Sequence, residues 1–464
     1  FYTYDVDWSY DGTTFNAESA GITGDATSPV LTAGTYTIAI RGIFPRIYFF
    51  NSLDKDKIQT IEQWGNIEWT SMYRAFMGCS NLTITNPTID VPNLSNVTDI
   101  AQMFRDASSF NGAINNWDVS TITNMGSMFA DASVFNQPLN NWDVSNVENL
   151  SWMFVDATTL NQPSNGWTVD NVTNMQGVFS GASVFNQPLN NWNVSSVTDM
   201  ERMFQDATAF NQPLNGWNVS SVENMLQMFL NATAFNQPLN NWNVNKVIVM
   251  RDLFSGALSF DQSLSNWGLS STLYMSDMFK DVTLSTANYD ATLIGWHTDS
   301  SGVENDGIDD VPSNITFSGG SSQYCASETQ RANLLSTYNW TITDGGTGCN
   351  VSDYFITTWT VAENETITIP TNTDNGEFYT YDVDWSYDGT TFNVESASIT
   401  GDATSPVLTA GTYTVAIRGV FPRIYFFNSL DKDKIQTIEQ WGNIVWTSMF
   451  RALMGRSNLT ITNP

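Results

Sequence analysis

The chain contains one histidine, three cysteines and only 17 basic residues among its 464. Each shortage excludes something. The histidine, His297, follows Trp296 in a polar stretch with no second His or Cys arranged around it, so neither zinc ligation nor His-based acid–base catalysis is expected there. Against 17 basic residues stand 47 acidic ones, a formal charge of −30, and nucleic acid is not an expected partner because phosphate-backbone binding needs clustered Lys and Arg. No run approaches the roughly 18 uninterrupted apolar residues of a membrane helix, so no membrane span is expected in this segment. Serine-hydrolase elbows, phosphate loops and dinucleotide fingerprints are missing too. No catalytic residue can be named, and the chain is not expected to be an enzyme.

What the chain has in quantity is repetition. Phe1 to Pro87 recurs as Phe378 to Pro464, offset by 377 positions, with eight substitutions: Ala17 to Val394, Gly21 to Ser398, Ile38 to Val415, Ile43 to Val420, Glu68 to Val445, Tyr73 to Phe450, Phe76 to Leu453 and Cys79 to Arg456. The chain is therefore expected to be a window on a longer tandem array. A unit repeated almost verbatim suits reach and multivalency, which a single catalytic site does not need.

A shorter repeat lies inside the long one. Trp117, Trp142, Trp167, Trp192, Trp217, Trp242 and Trp267 are 25 residues apart without an insertion. A Phe leads each unit (Phe104, Phe129, Phe154 and onward to Phe279), Ala107, Ala132 or an equivalent follows, then FNQPLNNW or a near relative. Units with apolar residues at fixed phase cannot bury their own hydrophobic face and must stack. The reading is a short strand around 139–144 and a helical or 3₁₀ turn over 146–156, where Leu150, Met153, Phe154 and Ala157 share one side.

The pattern NVTNMxxMFxxAxxFNQPLNNWDVS, cleanest from Val119 to Val144, resembles the repeat of BspA-like leucine-rich-repeat bacterial surface proteins. The resemblance implies a cell-surface or secreted protein whose repeats adhere to host, matrix or other cells. From Val351 to about Gly419, successive strand-like runs are separated by Asn, Asp and Gly clusters, an all-β sandwich signal. The pairing of YDVDWSYDG with GTYTVAIRG resembles the polycystic-kidney-disease (PKD) type of immunoglobulin-like domain, with WSYDG where that family has WGDG.

The expected class is thus an α+β repeat protein. A leucine-rich-repeat-like solenoid of about nine coils would alternate with a PKD-type immunoglobulin-like sandwich. The expected parts are the end of a sandwich over 1–43, the solenoid over 44–281, its cap over 282–350, a sandwich over 351–420 and the next solenoid from 421 to 464. The cap should carry two helices, in 287–296 and 327–338, and Cys325 and Cys349, bracketing the second, are expected to form a disulfide in an exported chain. Cys79, replaced by Arg456 in the duplicate, reads as a small core filler.

Candidate binding residues fall in three groups. Asp5, Asp7 and Asp11, their duplicates Asp382, Asp384 and Asp388, and the loop set Asp306, Asp309 and Asp310 either bind calcium or supply turns and surface charge; no other cofactor is called for. The tryptophan column reads as core rather than as a carbohydrate platform. Asn111, Asn136, Asn161, Asn186, Asn211 and Asn236 read as a buried ladder, while Asn140, Asn141, Asn190, Asn191, Asn240 and Asn241 form the candidate contact face. The expected function is a repeat segment of a long extracellular adhesive fibre, self-associating and touching other cells, glycans or surface proteins. A stand-alone glycan- or protein-binding module is the alternative.

Overall fold

The structure, a computed structural model, describes residues 1–50, 52–84, 90–297, 311–349, 351–372, 378–389, 392–426, 429–449, 452–454 and 459–462. It forms two compact units, Phe1–Phe260 and Asp261–Pro464.

The first unit opens with an antiparallel sheet in the order β2 (Ser19–Ile22), β1 (Thr3–Asp7), β3 (Ala39–Ile43). A short parallel pair follows, β4 (Thr60–Ile61) with β5 (Thr83–Ile84). From there the 25-residue repeats lie one upon the next. Single-residue parallel bridges join Asp99 to Asn124, then Asn149, Asn174, Asp199, Asn224 and Val249 in sequence.

The backbone explains why such short contacts hold. In one repeat the amides of Leu150, Trp152, Phe154 and Asp156 donate to the carbonyls of Asn174, Gln176, Val178 and Ser180 in the next repeat, at 2.7–3.2 Å. The intervening amides of Met153, Val155 and Ala157 close turns on Leu150, Trp152 and Phe154. Every donor along this stretch is therefore satisfied, alternately within and between repeats. The geometry needs two left-handed residues four apart, here Trp152 (φ 58°) and Asp156 (φ 55°). The second of these positions carries only the residue types that tolerate that conformation: Gly78, Asp106, Asp131, Asp156, Gly181, Asp206, Asn231 and Gly256.

Aromatic columns fill the space the ladder encloses. Phe104, Phe129, Phe154, Phe179, Phe204, Phe229 and Phe254 stack with centroids 5.5–5.8 Å apart. Most repeats add a second ring, such as Phe135 at 4.1 Å from Phe129 or Phe210 at 4.0 Å from Phe204. Burying each ring contributes about 1.5–3 kcal/mol, so the columns are the main drive for stacking.

In the second unit, α1 (Thr286–His297) and α2 (Glu328–Ser336) pack beside the parallel pair β6 (Thr316–Ser318) and β7 (Thr341–Thr343). Asp290 on α1 anchors the start of α2. It accepts from the amides of Cys325, Ala326 and Ser327 and the hydroxyl of Ser327, at 2.6–3.0 Å. Burial pushes its pKa up against the pull of those four donors. A six-stranded sheet follows in the order β11 (Ser396–Ile399), β10 (Thr380–Asp384), β13 (Gly411–Val420), β8 (Phe355–Val361), β14 (Ile435–Gln440), β15 (Thr460–Ile461). It shares one core with the pair β9 (Thr368–Ile369) and β12 (Ala403–Thr404).

These observations correct the expected α+β class. Among the described residues the structure is predominantly β and turn, with α1 and α2 its α-helices. An alternation of leucine-rich-repeat solenoid and immunoglobulin-like sandwich is not what is found. The stretch 146–156 forms no helix: it keeps single turns closed three residues back, as Met153 on Leu150, but its left-handed residues interrupt them and send alternate amides to the neighbouring repeat. No strand forms at 139–144; the bridge lies at Asn149 instead. Nor does the second sheet end near 420. Strand β14, which the sequence assigned to the next solenoid, pairs with β8 and buries Ile435 and Ile438 in the same core as Phe355 and Trp359.

One repeat is underpacked. Leu160 stands where its neighbours have Phe135 and Phe185, and Ser164 where they have Leu139 and Leu189, leaving a void of about 10 Å³ lined by Phe154, Trp167 and Phe179. The Ser164 hydroxyl is buried there with no hydrogen-bond partner in the protein. The substitution Ser164→Leu should stabilise the first unit by about 1–2 kcal/mol, by filling the gap and removing a buried unpaired hydroxyl. A rise in Tm by scanning calorimetry checks this, and a fall would show that the site cannot take the larger side chain.

Candidate functional site

Five side-chain columns run along the repeats of the first unit, and their exposure separates structural from available groups. The tryptophans are structural. The indole N–H of Trp142, Trp167, Trp192, Trp217 and Trp242 donates to the carbonyl of Ile114, Leu139, Ser164, Leu189 and Leu214 respectively, 28 residues back and at 2.9–3.0 Å. All are buried, so the column presents no exposed aromatic face. In the second unit Trp296 and Trp340 make the same kind of bond, to Leu264 at 3.1 Å and Pro312 at 2.6 Å. Sequence reading missed this pair because both fall outside the 25-residue phase.

The first asparagine column is a ladder, but not a buried one. Oδ1 of Asn111 accepts the amide of Asn136 at 2.9 Å, and Asn136, Asn161, Asn186 and Asn211 repeat the contact onto Asn161, Asn186, Asn211 and Asn236. Each Oδ1 also takes the side-chain amide of the next glutamine, as Asn161 does from Gln187 at 2.9 Å. These asparagines are half-buried or exposed, because they cap repeat edges at the surface. Sequence reading did not single out a further column, Asp99, Asn124, Asn149, Asn174, Asp199 and Asn224. It carries the parallel bridges and folds each Oδ1 back on the amide two residues on, as in Asn149 to Ser151 at 2.9 Å.

The nominated contact face is exposed. Asn140, Asn141, Asn190, Asn191, Asn240 and Asn241 all lie at the surface. The amides of Asn141, Asn191 and Asn241 are held by Oδ1 of Asn115, Asn165 and Asn215 at 2.9–3.0 Å. Their backbone is therefore fixed, and in two of the pairs the side chains also bond each other, Asn140 donating to Oδ1 of Asn141 at 3.2 Å and Asn190 to Oδ1 of Asn191 at 3.0 Å, so the pairs form an exposed row that recurs at every second repeat.

The left-handed column places carboxylates above one another. Asp131 lies between Asp106 and Asp156, and its pKa is raised, first by burial and then by those two charges. Asn231 occupies the same phase and donates to Asp206 at 2.8 Å, a hydrogen bond where Asp106 and Asp131 set two carboxylates together.

The acids nominated from sequence serve their own loops. Asp7 accepts the amides of Ser9 and Asn16, Asp11 those of Thr13 and Thr14, and Asp5 that of Gly21 together with Arg41. Asp384 and Asp382 repeat the first and third patterns, and Asp388 is exposed. Among the described residues no group of three or more His, Cys, Asp or Glu is placed to hold a metal ion. Asp306, Asp309 and Asp310 lie outside the described residues, as does Arg456. Cys325 and Cys349 are joined, with Cα atoms 4.8 Å apart. Cys79 is buried and its thiol is pushed up to about 12, chiefly by desolvation. His297 hydrogen-bonds Asn333 at 2.6 Å and meets Tyr338 edge-on.

Residues 70–191 and 173–292 match the family described as Mycoplasma protein of unknown function, DUF285, so that two overlapping matches cover just under half of the chain. No curated protein and no solved structure matches the chain. The repeat character of this stretch is thereby established on a second footing.

Two expectations follow. Replacing Trp192 by Phe removes the indole donor from the buried Ser164 carbonyl and should cost about 1–3 kcal/mol in urea unfolding, whereas a loss within error would mean the bond contributes nothing net. Asp131 holds its proton more tightly folded than unfolded. Its contribution is therefore present in full at acid pH and fades as pH rises from the ordinary carboxylate range through the raised one. Asp131→Asn should raise Tm at pH 7 and flatten the Tm profile between pH 4 and 7, and an unchanged profile would show the stacked charges do not couple.

Proposed function

We propose that this chain is a repeat segment of a long bacterial cell-surface or secreted adhesive fibre, giving reach and multivalent contact with other cells, glycans or surface proteins. The observation that carries the reading is the near-identity of the two ends of the chain, with 79 of 87 positions the same, combined with an inner repeat whose backbone bonds recur from one unit to the next. Such a design adds length and copies of one surface without adding chemistry. The resemblance of the inner repeat to BspA-like surface proteins supports an extracellular setting. So does a surface rich in neutral amides, a disulfide and a net charge of −30. Among the described residues no helix is long and apolar enough to cross a membrane.

The exposed carboxamide row is the contact surface in this reading. Many weak, identical sites suit a fibre, since each adds to a joint avidity. Chains carrying one, two and three copies of the 377-residue unit should bind cells or glycan-coated surfaces with avidity that climbs steeply with copy number, and should lengthen stepwise in negative-stain images. Replacing Asn140, Asn190 and Asn240 together by Asp should weaken that binding about tenfold or more while leaving Tm unchanged. Binding equal for one copy and three would favour the stand-alone binding module and overturn the fibre.

A further inference from the structure

The duplicated segment occurs twice, once covered and once open. In the second unit Arg418 on β13 is 5% exposed. It donates to Asp382 at 3.3 Å and to Glu328, the first residue of α2, at 3.2 Å; it lies 4.6 Å over the ring of Phe392, and its Nη1 comes within 3.6 Å of Cys349 Sγ. Beside it, Gln330 donates to the Ser398 hydroxyl at 3.0 Å. Strand β8 covers the same edge, with Thr357, Ile356 and Phe355 opposite Val415, Ala416 and Ile417.

In the first unit the receiving half of this arrangement is already assembled. Arg41 donates to Asp5 at 3.2 Å and lies 4.3 Å over Phe15, and the Gly21 amide reaches Asp5 at 2.9 Å, as the Ser398 amide reaches Asp382. Yet the Arg41 side chain is 59% exposed, and Ile38 is 49% exposed where its counterpart Val415 is fully buried. A preformed ion pair, a stacked guanidinium and bare β-branched residues on a sheet edge together make an unfilled socket, and unfilled edges are normally covered.

We propose that the Arg41 face is the receptor half of a joint whose occupant is a second copy of this chain's own segments Cys325–Cys349 and Phe355–Val361. The inference rests on the tandem reading above and adds to it which surfaces meet. Glu328 supplies the charge that Arg41 lacks, Phe355 and Ile356 supply the apolar cover that β3 lacks, and the duplicate in the second unit has both in place. One contact differs. Gly21 stands where Ser398 accepts from Gln330, so this joint has one hydrogen bond fewer.

The test extends the full chain at Phe1 with a second copy of residues 283–377, which restores the junction that precedes Phe378. Hydrogen exchange at residues 38–43 should slow roughly 100-fold, to the level of residues 415–420 in the same molecule. Arg41→Glu in the extended chain should abolish that protection, and Glu328→Arg in the appended copy should restore it, which separates loss of the joint from loss of folding. Exchange at 38–43 that is the same with and without the extension would overturn the proposal. Stepwise lengthening with copy number is read independently, so a fibre without this joint, or this joint without a fibre, would each be recognised.

Discussion

The backbone ladder between successive repeats constrains everything else in the first unit. Each repeat contributes only single-residue bridges and short turns, too little to stand alone, so amides that would be lost to solvent in an isolated copy are completed by the carbonyls of the next. That exchange fixes the phase of each repeat against the next, 25 residues on from Asp106 through Gly256, and with it the position of every side chain that stacks.

Left-handed residues make the ladder possible and carry a conformational cost of about 1–2 kcal/mol each when they are not glycine. The sequence keeps that cost low at one position by using only Gly, Asp and Asn, and accepts it at the other, where Arg74, Gln102, Ser127, Trp152 and Arg202 occur. Buried phenylalanines and methionines offset it. Close packing also limits what the neighbours may be: a β-carbon on Gly177 would sit 2.1 Å from the ring of Trp152 in the preceding repeat. The indole ladder ties the far side of each repeat to the carbonyls of the one before, so both flanks of the stack are hydrogen-bonded.

Much of this was legible in the residues, and what was not has a physical reason. The tryptophan spacing identified a buried column, and the recurrent Asn after Phe110 and Phe135 identified a ladder. Its exposure was misjudged because an asparagine can satisfy backbone from the surface as well as from within. The spacing of Leu150, Met153, Phe154 and Ala157 matches a helical face, and periodicity alone cannot tell that face from linked turns. The distinguishing signal was the Asp, Gly or Asn directly before each conserved alanine, at Asp131, Asp156, Gly181, Asp206 and Asn231, which marks a left-handed backbone. Strand β14 could not be placed from sequence because its partner β8 lies 79 positions away, between Thr358 and Thr437, and pairing at that range leaves no local trace.

The same ladder sets a rule for how such a protein can change over generations. Since every repeat offers its successor the same carbonyls and asks the same of its predecessor, removing or inserting one whole repeat lets the two new neighbours rejoin with all bonds remade. A shift of a single residue would instead set left-handed backbone against bulky side chains and move asparagines off their amides. Length in this chain therefore changes most readily by whole repeats, and a unit of another length is accepted only where its ladder residues keep their phase, as Gly78 and Asp106, 28 apart, still do.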